Sequence, residues 1–469
     1  MRLLTCSNSA PSLSSPGSPN GTNGPPPGGL VPILTSLLGE VGGTWLFSAE
    51  SADRRGEATN PRRHGRATWV PVALPDQKTA AGSRRSAIEL FLWLFHYLYD
   101  TSVEPSFDSE TRNNWLAYNE INNLFGQALA ALHSDSEGEV VLVHDFHLML
   151  VPARFAAATT RRNSTLAYFH HTPWCDPGYF GLLPNEVRCA ILGSLLNCDF
   201  VGFHSRRWAE NFKGCCLEHL PGVVMTGDTA IFKDRATQIT VAPGPIDAST
   251  ARDLADSRLA HQWRELLAAR AGDRKVLVRV DRLDLWKNIV RGFRAYELLL
   301  ERSRSAADDY WFCAIVSTPR FPTARHTEYE ALCRAAQDRI NARFGGSGEA
   351  VTMIYPDKSD HHRTRALAAL SMADGTLVNP TFDGLNMVAK EALAVNPGTS
   401  LLLSRNAGAF DQLAPAAVAV DPFDLLSTTD LMEDVLSRGA GQVTEQRHAC
   451  LDTLRRESAR AWLDRILGG

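Results

Sequence analysis

Two cationic side chains, Arg282 and Lys287, stand five positions apart just after the run Val276-Leu277-Val278-Arg279-Val280 in a chain of 469 residues. The run reads as a buried strand, and two cations in the loop that leaves it suit a departing diphosphate. A pair of surface salt bridges is the competing reading. A second candidate is Asn379-Pro380-Thr381-Phe382-Asp383-Gly384-Leu385-Asn386-Met387-Val388-Ala389-Lys390-Glu391. Before it, Gly375-Thr376-Leu377-Val378 reads as a strand; Pro380, Asp383 and Gly384 mark a turn, and a helix-forming run starts at Asn386. Strand, glycine turn and helix set backbone N–H groups against a phosphate or sugar oxygen. Glu391, seven residues beyond Gly384, offers a carboxylate to ribose hydroxyls. Ordinary α/β packing produces the same local order.

Further polar groups follow other strands. Val140 to Val143 runs into His144-Asp145-Phe146-His147, which puts Asp145 at the mouth of a cleft, or makes it a helix cap. Thr165 to Phe169 runs into His170-His171-Thr172-Pro173-Trp174. Adjacent histidines point in different directions, so they are poor joint metal ligands, and one of them suits a substrate hydroxyl. Gly28-Gly29 opens an amphipathic helix, Leu30 to Leu38, where a backbone without side chains can approach a diphosphate.

The elements that must position these groups alternate strand and helix. That predicts an α/β protein with parallel sheets and ligands at the carboxyl ends of the strands. A first strand, Arg2 to Cys6, precedes a loop over Ser7 to Gly29 rich in Ser, Pro, Gly and Asn. A turn at Pro243-Gly244-Pro245 precedes a second α/β series. Length allows two to three domains. A net charge of −4 speaks against nucleic acid or an anionic membrane as partner. No 18-residue apolar run and no basic-then-apolar leader is visible. Nine scattered cysteines without C-x-x-C suit reduced thiols in a cytoplasm.

Together these strings resemble the trehalose-6-phosphate synthase family of retaining glycosyltransferases. The donor loop is similar to Asp-Gly-Met-Asn-Leu-Val-Ala-Lys-Glu. His144-Asp145-Phe146-His147-Leu148-Met149 resembles His-Asp-Tyr-His-Leu-Met, His171-Thr172-Pro173-Trp174 resembles His-Ile-Pro-Phe, and Arg282-Leu283-Asp284 with Lys287 resembles Arg-Leu-Asp-Tyr-Ser-Lys. The resemblance runs from Leu3 to about Asp424. It implies a GT-B fold, two Rossmann-like domains facing each other across a cleft: an acceptor domain over 1–242, a nucleotide-sugar domain over 243–450, and a C-terminal helix over 451–469 crossing back. It also implies transfer of a glucosyl unit from a nucleotide sugar to a phosphorylated acceptor. No Asp-x-Asp occurs, which fits an enzyme without a metal or other cofactor.

By the same resemblance, Arg282 and Lys287 stabilise the departing diphosphate, and Gly29 meets the diphosphate and attacking oxygen. Asp383 and the backbone of Gly384, Leu385 and Asn386 hold the donor, and Glu391 the ribose. His171 stands at the donor's 6-hydroxyl, and Asp145 orients the acceptor. Trp93 and Arg320 resemble acceptor-site residues. Ser9 replaces the first-motif arginine that grips the acceptor phosphate, Arg84 stands where a tyrosine is usual, and Ser371 replaces a donor-side arginine. Arg84 is therefore a candidate replacement cation. Asn197 to Phe212 looks like glucosylglycerol-phosphate synthases. Ser48 to Arg55, Glu104-Pro105-Ser106-Phe107, Lys287-Asn288 and Pro422-Phe423-Asp424-Leu425 look like validoxylamine-type pseudoglycosyltransferases, which join an activated cyclitol to an aminocyclitol phosphate. Those two activities are the alternatives, with an inactive sugar-phosphate sensor behind them. Homo-oligomer formation stays open.

Overall fold

The computed structural model describes residues 1–10, 29–48, 61–302, 306–319, 321–346, 348–356, 362–438 and 445–469. Their strands divide between two units. The first unit contains β1 (Arg2–Ser7), β2 (Gly43–Ser48), β3 (Arg62–His64), β4 (Ala67–Val72), β5 (Glu139–His144), β6 (Thr165–His170), β7 (Phe200–Phe203), β8 (Val224–Thr226), β9 (Thr229–Phe232) and β10 (Arg235–Val241). The second contains β11 (Lys275–Arg282), β12 (Tyr310–Ser317), β13 (Val351–Ile354), β14 (Gly375–Val378), β15 (Ser400–Ser404) and β16 (Ala417–Val420).

The first sheet runs β3-β4-β2-β1-β5-β6-β7-β10-β9-β8. It is parallel from β4 to β10 and antiparallel at both edges. The second runs β13-β12-β11-β14-β15-β16 and is parallel throughout. Strands covered by helices on both faces are largely apolar runs, and every residue of β5, β14 and β15 is buried, including the polar Glu139 and His144. The chain order reverses between β1 and β5 in one sheet and between β11 and β14 in the other. These are the switch points where loops diverge and leave room for a ligand.

Local chemistry sets the connections. The helix Leu30–Val41 buries Val31, Ile33, Leu34, Leu37 and Leu38, and it runs a turn past the expected end at Leu38. Gly43 then enters β2 at φ +132°, where a Cβ would stand 2.3 Å from the Leu3 carbonyl oxygen. Only glycine fits. A π-helical stretch, Ser86–Leu92, joins the helices Gln77–Arg85 and Trp93–Phe95. The segment expected as one helix over 451–469 is two, Glu445–Arg456 and Ala459–Ile466. The break lets the Glu457 carboxylate accept from Lys390 Nζ at 2.7 and 2.9 Å and from the Ile246 N–H at 3.2 Å.

The last helix lies in the first unit, together with Leu30–Gly244, while Pro245–Ser458 forms the second. Trp462 anchors it: the indole is fully buried, its Nε1 donates to the Ala242 carbonyl at 3.0 Å, and its ring meets the Phe169 ring edge-on. Trp462→Ala is expected to destabilise the first unit by about 3–5 kcal/mol, read as a lower urea midpoint.

Candidate functional site

The second unit gathers its polar groups at the β11/β14 switch point. β11 ends in Arg279, Val280, Asp281 and Arg282; a single 3-10 turn, Leu285–Lys287, follows. The loop after β14 brings Asp383 to this turn, and Lys287 Nζ donates to Asp383 Oδ2 at 2.6 Å. Asn386, at φ +75°, serves twice. Its side-chain Oδ1 caps the helix Met387–Val395 by accepting from the Ala389 N–H, and its side-chain Nδ2 donates to Asp383 Oδ2 at 3.0 Å. Leu385 is buried in the core beneath the loop. Its side chain is therefore structural, and only its backbone can face a ligand.

Two more cations complete the cluster. Arg279 is fully buried and donates to Asp281 Oδ2 at 3.0 and 2.7 Å and to the Lys287 carbonyl at 2.8 Å. Arg282 reaches outward, with 57% of its side chain exposed, and holds the buried Asp284 carboxylate at 2.7 Å. His326 accepts from the Thr323 N–H at Nδ1, so Nε2 carries the proton, and Nε2 lies 3.7 Å from Asp284. Burial opposes ionisation of Asp284, but Arg282, His326 and Lys287 outweigh it and hold the carboxyl at about 2. Burial works against charge on Lys287 too, yet Asp383 and Asp281 raise its pKa. Three cations thus face three carboxylates, Asp281, Asp284 and Asp383.

Glu391 lies buried on the same helix as the Asn386 cap and meets Arg363 at 3.0 Å. Burial pushes its carboxyl up and Arg363 pulls it back only in part. Arg264 donates to Ser371 at 3.2 Å, so a guanidinium from another helix stands near the position where the family's arginine is missing.

In the first unit, β5 and β6 end side by side next to the β1/β5 switch point. Asp145 takes φ +71° and precedes a 3-10 turn, Phe146–Leu148, rather than a long helix. Its carboxylate accepts from the His171 N–H at 3.2 Å. Burial pushes the Asp145 carboxyl up to about 7, against the lowering effect of the Phe146 and His171 N–H groups. The neighbouring histidines diverge as expected. His170 contacts the Tyr168 and Thr172 hydroxyls at 2.9 Å each and the Pro173 carbonyl at 3.2 Å. His171 instead meets His144 at 3.1 Å and His204 at 3.2 Å, so both its ring nitrogens are engaged by imidazoles. Burial lowers its pKa to about 3.

Two of the expected acceptor residues, Arg84 and Trp93, lie on one helical segment. Trp93 is buried, with its ring edge-on to Tyr99. Arg84 is half-buried near the end of Gln77–Arg85. Positions nine apart lie about 180° apart around an α-helix. The wider turn of the intervening π stretch, about 4.4 residues, brings Arg84 and Trp93 to within about 60° of each other. Gly29 is exposed at φ +100° with open space where a Cβ would be. Gly28 and Arg320 fall outside the described residues.

Arg279, His204, His326 and Arg363 belong to these clusters in addition to the residues expected from the sequence. Arg279 carried a signal: a cation within a buried strand needs a partner, and Asp281, two residues on, shares its face. His204, Arg363 and, in its contact with Asp284, His326 meet these partners through tertiary packing.

A model of glycosyltransferase family 20 matches residues 18–468. A validamine 7-phosphate valienyltransferase from Streptomyces hygroscopicus subsp. jinggangensis is 26% identical over 457 residues, covering 94% of this chain and 88% of the relative. A trehalose-6-phosphate synthase from Mycolicibacterium gilvum is 30% identical over 446 residues, covering 92% and 85%. An alpha,alpha-trehalose-phosphate synthase (UDP-forming) from Burkholderia xenovorans, solved in complex with glucose-6-phosphate, matches with a TM-score of 0.85 at 23% identity over 100% of this chain and 99% of that one. The shared fold is GT-B. Among the described residues, no helix is long and apolar enough to cross a membrane.

The raised Asp145 pKa makes a prediction about stability. The unfolded carboxyl ionises near 3.8 and the folded one near 7, so the contribution is present below about pH 4 and lost as pH rises to about 7. Relative to Asp145→Asn, the natural chain should lose up to about 4 kcal/mol across that window. Parallel urea midpoints for the two proteins from pH 4 to 8 would contradict the assignment.

Proposed function

The chain belongs to glycosyltransferase family 20 and is a glycosyltransferase of the trehalose-6-phosphate synthase type, and from that premise we propose how its residues divide the work. A nucleotide sugar gives up a glucosyl unit to a phosphorylated acceptor, with the donor's configuration retained and no metal required. The Lys287–Asp383 ion pair beside Arg282 carries this reading. Both cations are already paired with carboxylates, and a diphosphate can take the place of those carboxylates as counter-ion. Lys287 then turns to the phosphate, and Asp383, released, accepts the donor sugar's hydroxyls. Glu391 takes the ribose hydroxyls, with Arg363 holding its charge.

No protein carboxylate is assigned as nucleophile, unlike the two-carboxylate retaining glycosidases. The acceptor oxygen attacks the anomeric carbon on the face the diphosphate leaves. The bond from that carbon to phosphate oxygen breaks, and the acceptor's proton passes to the departing phosphate oxygen. Catalysis is then positioning plus electrostatic stabilisation of developing charge. His171 faces the donor sugar's 6-hydroxyl, Asp145 orients the acceptor, and Gly29 admits the diphosphate. Trp93, Arg84 and Arg320 serve the acceptor and its phosphate. The nine free cysteines support a reducing cytoplasm as the setting.

A second reading has its own support. Ser9 lacks the phosphate-gripping arginine, and a valienyltransferase is among the similar relatives along nearly the whole chain. On this reading the donor groups take an activated cyclitol, and the acceptor is an aminocyclitol phosphate. A mass-spectrometric screen separates the two: UDP-, GDP- and ADP-glucose against glucose 6-phosphate, glycerol 3-phosphate and aminocyclitol phosphates. No product from any glucose donor would overturn the first reading.

Two expectations test the roles. Lys287→Ala should lower turnover about 10²- to 10³-fold with activity indifferent to EDTA; near-normal turnover, or strict loss with EDTA, would contradict the charge assignment. Arg320→Ala should sharply reduce, and Arg84→Ala measurably reduce, the preference in kcat/KM for phosphorylated over unphosphorylated acceptor. Equal efficiency on both acceptors in the natural chain would mean that the phosphate site has been abandoned.

A further inference from the structure

Three imidazoles of the first unit form a hydrogen-bonded row whose direction is set at one end. The Gly244 N–H donates to His204 Nδ1 at 3.1 Å, and a backbone amide can only donate. His204 Nδ1 is therefore a bare lone pair and its proton sits on Nε2. That proton points at His171 Nδ1, 3.2 Å away, so His171 in turn carries its proton on Nε2. The His171 Nε2–H points at His144 Nδ1, 3.1 Å away. The row ends at His144 Nε2, which is buried with no hydrogen-bond partner among the described residues. A row closed by an amide at one end and lacking an acceptor at the other cannot conduct a proton. It can only hold a tautomer.

We propose that His204, fixed by the Gly244 amide, is a positioning residue that locks His171 as an Nε2–H donor for a hydroxyl of the donor sugar, with His144 occupying that donor until the sugar arrives. The assignment rests on His171 meeting the sugar, as proposed above. Asp145 complements it by fixing the backbone of the same residue through the His171 N–H. Backbone and ring are thus held by separate groups, and the imidazole enters the reaction with one donor in one place. A free imidazole would divide between two tautomers, and the wrong one would present a lone pair to a hydroxyl.

The chemistry predicts which replacement works at position 204. A glutamine amide has an oxygen that can accept from the Gly244 N–H and an N–H that can donate to His171, in place of the two imidazole nitrogens. Leucine has neither. In His204→Leu, the ring nitrogens of His171, labelled with ¹⁵N and assigned by their loss in His171→Gln, should move from one protonated and one bare nitrogen toward averaged values. Turnover should fall about 10- to 100-fold, and in His204→Gln both readouts should return to within about threefold of the natural enzyme. Unchanged His171 nitrogen signals in His204→Leu would overturn the proposal whatever the activity. So would a glutamine variant that folds but is as impaired as the leucine one. If His171→Ala keeps full turnover, the contact with the sugar is wrong, and the nitrogen signals alone then decide whether His204 sets the tautomer.

Discussion

A carboxylate in a largely dehydrated loop must have its partners fixed, and Asp383 takes Lys287 from one loop and Asn386 from its own. The Lys287 bond joins the loop after β11 to the loop after β14, the pair that diverges at the switch point, and the Asn386 bond braces the second loop on itself. Asn386 also caps the helix bearing Glu391. The conformation of the loop, the start of the helix and the charge of the pocket are therefore one coupled arrangement. Removing one partner from such a pair leaves the other charge buried and uncompensated, which costs more than the pair contributes when intact.

The balance of three cations with three carboxylates explains how this unit can hold an anion without being strongly basic. Arg279 stays at the bottom of the cluster, supporting the Lys287 backbone and Asp281. Arg282 and Lys287 lie nearer the surface and can trade counter-ions. His326 extends the same arrangement by one shell, since the proton on its Nε2 faces the Asp284 carboxylate that holds Arg282. Charges arranged in advance need little reorganisation when a diphosphate departs.

The first unit solves a different problem with nearly uncharged groups. Burial keeps His171 and His144 neutral and pushes Asp145 upward. Neutral imidazoles recognise hydroxyls by direction, so the tautomer matters more than the charge. The π-helical Ser86–Leu92 belongs to the same logic of placement, because its extra width turns Arg84 and Trp93 toward one side.

The alternation of apolar strands and helices, the β11 run with Arg282 and Lys287 behind it, and the Asp383 to Glu391 turn and helix were all legible in the sequence. Each depends on contacts between residues close in the chain, and short-range periodicity records such contacts directly. The resemblance of Asp383 to Glu391, and of His144 to Met149, to known motifs carried the family as well. Other features depended on residues far apart in sequence. Lys287 and Asp383 are 96 positions apart, His171 and His204 are 33, and Gly244 and His204 are 40. No local pattern links such pairs, because it is the strand order that brings them together. The break at Glu457 was hidden for the same reason, since its partner Lys390 lies 67 positions away. The sequence alone determined which groups stand at the strand ends; the tertiary structure decided which of them meet, and so which charges are balanced and which imidazole nitrogen carries the proton.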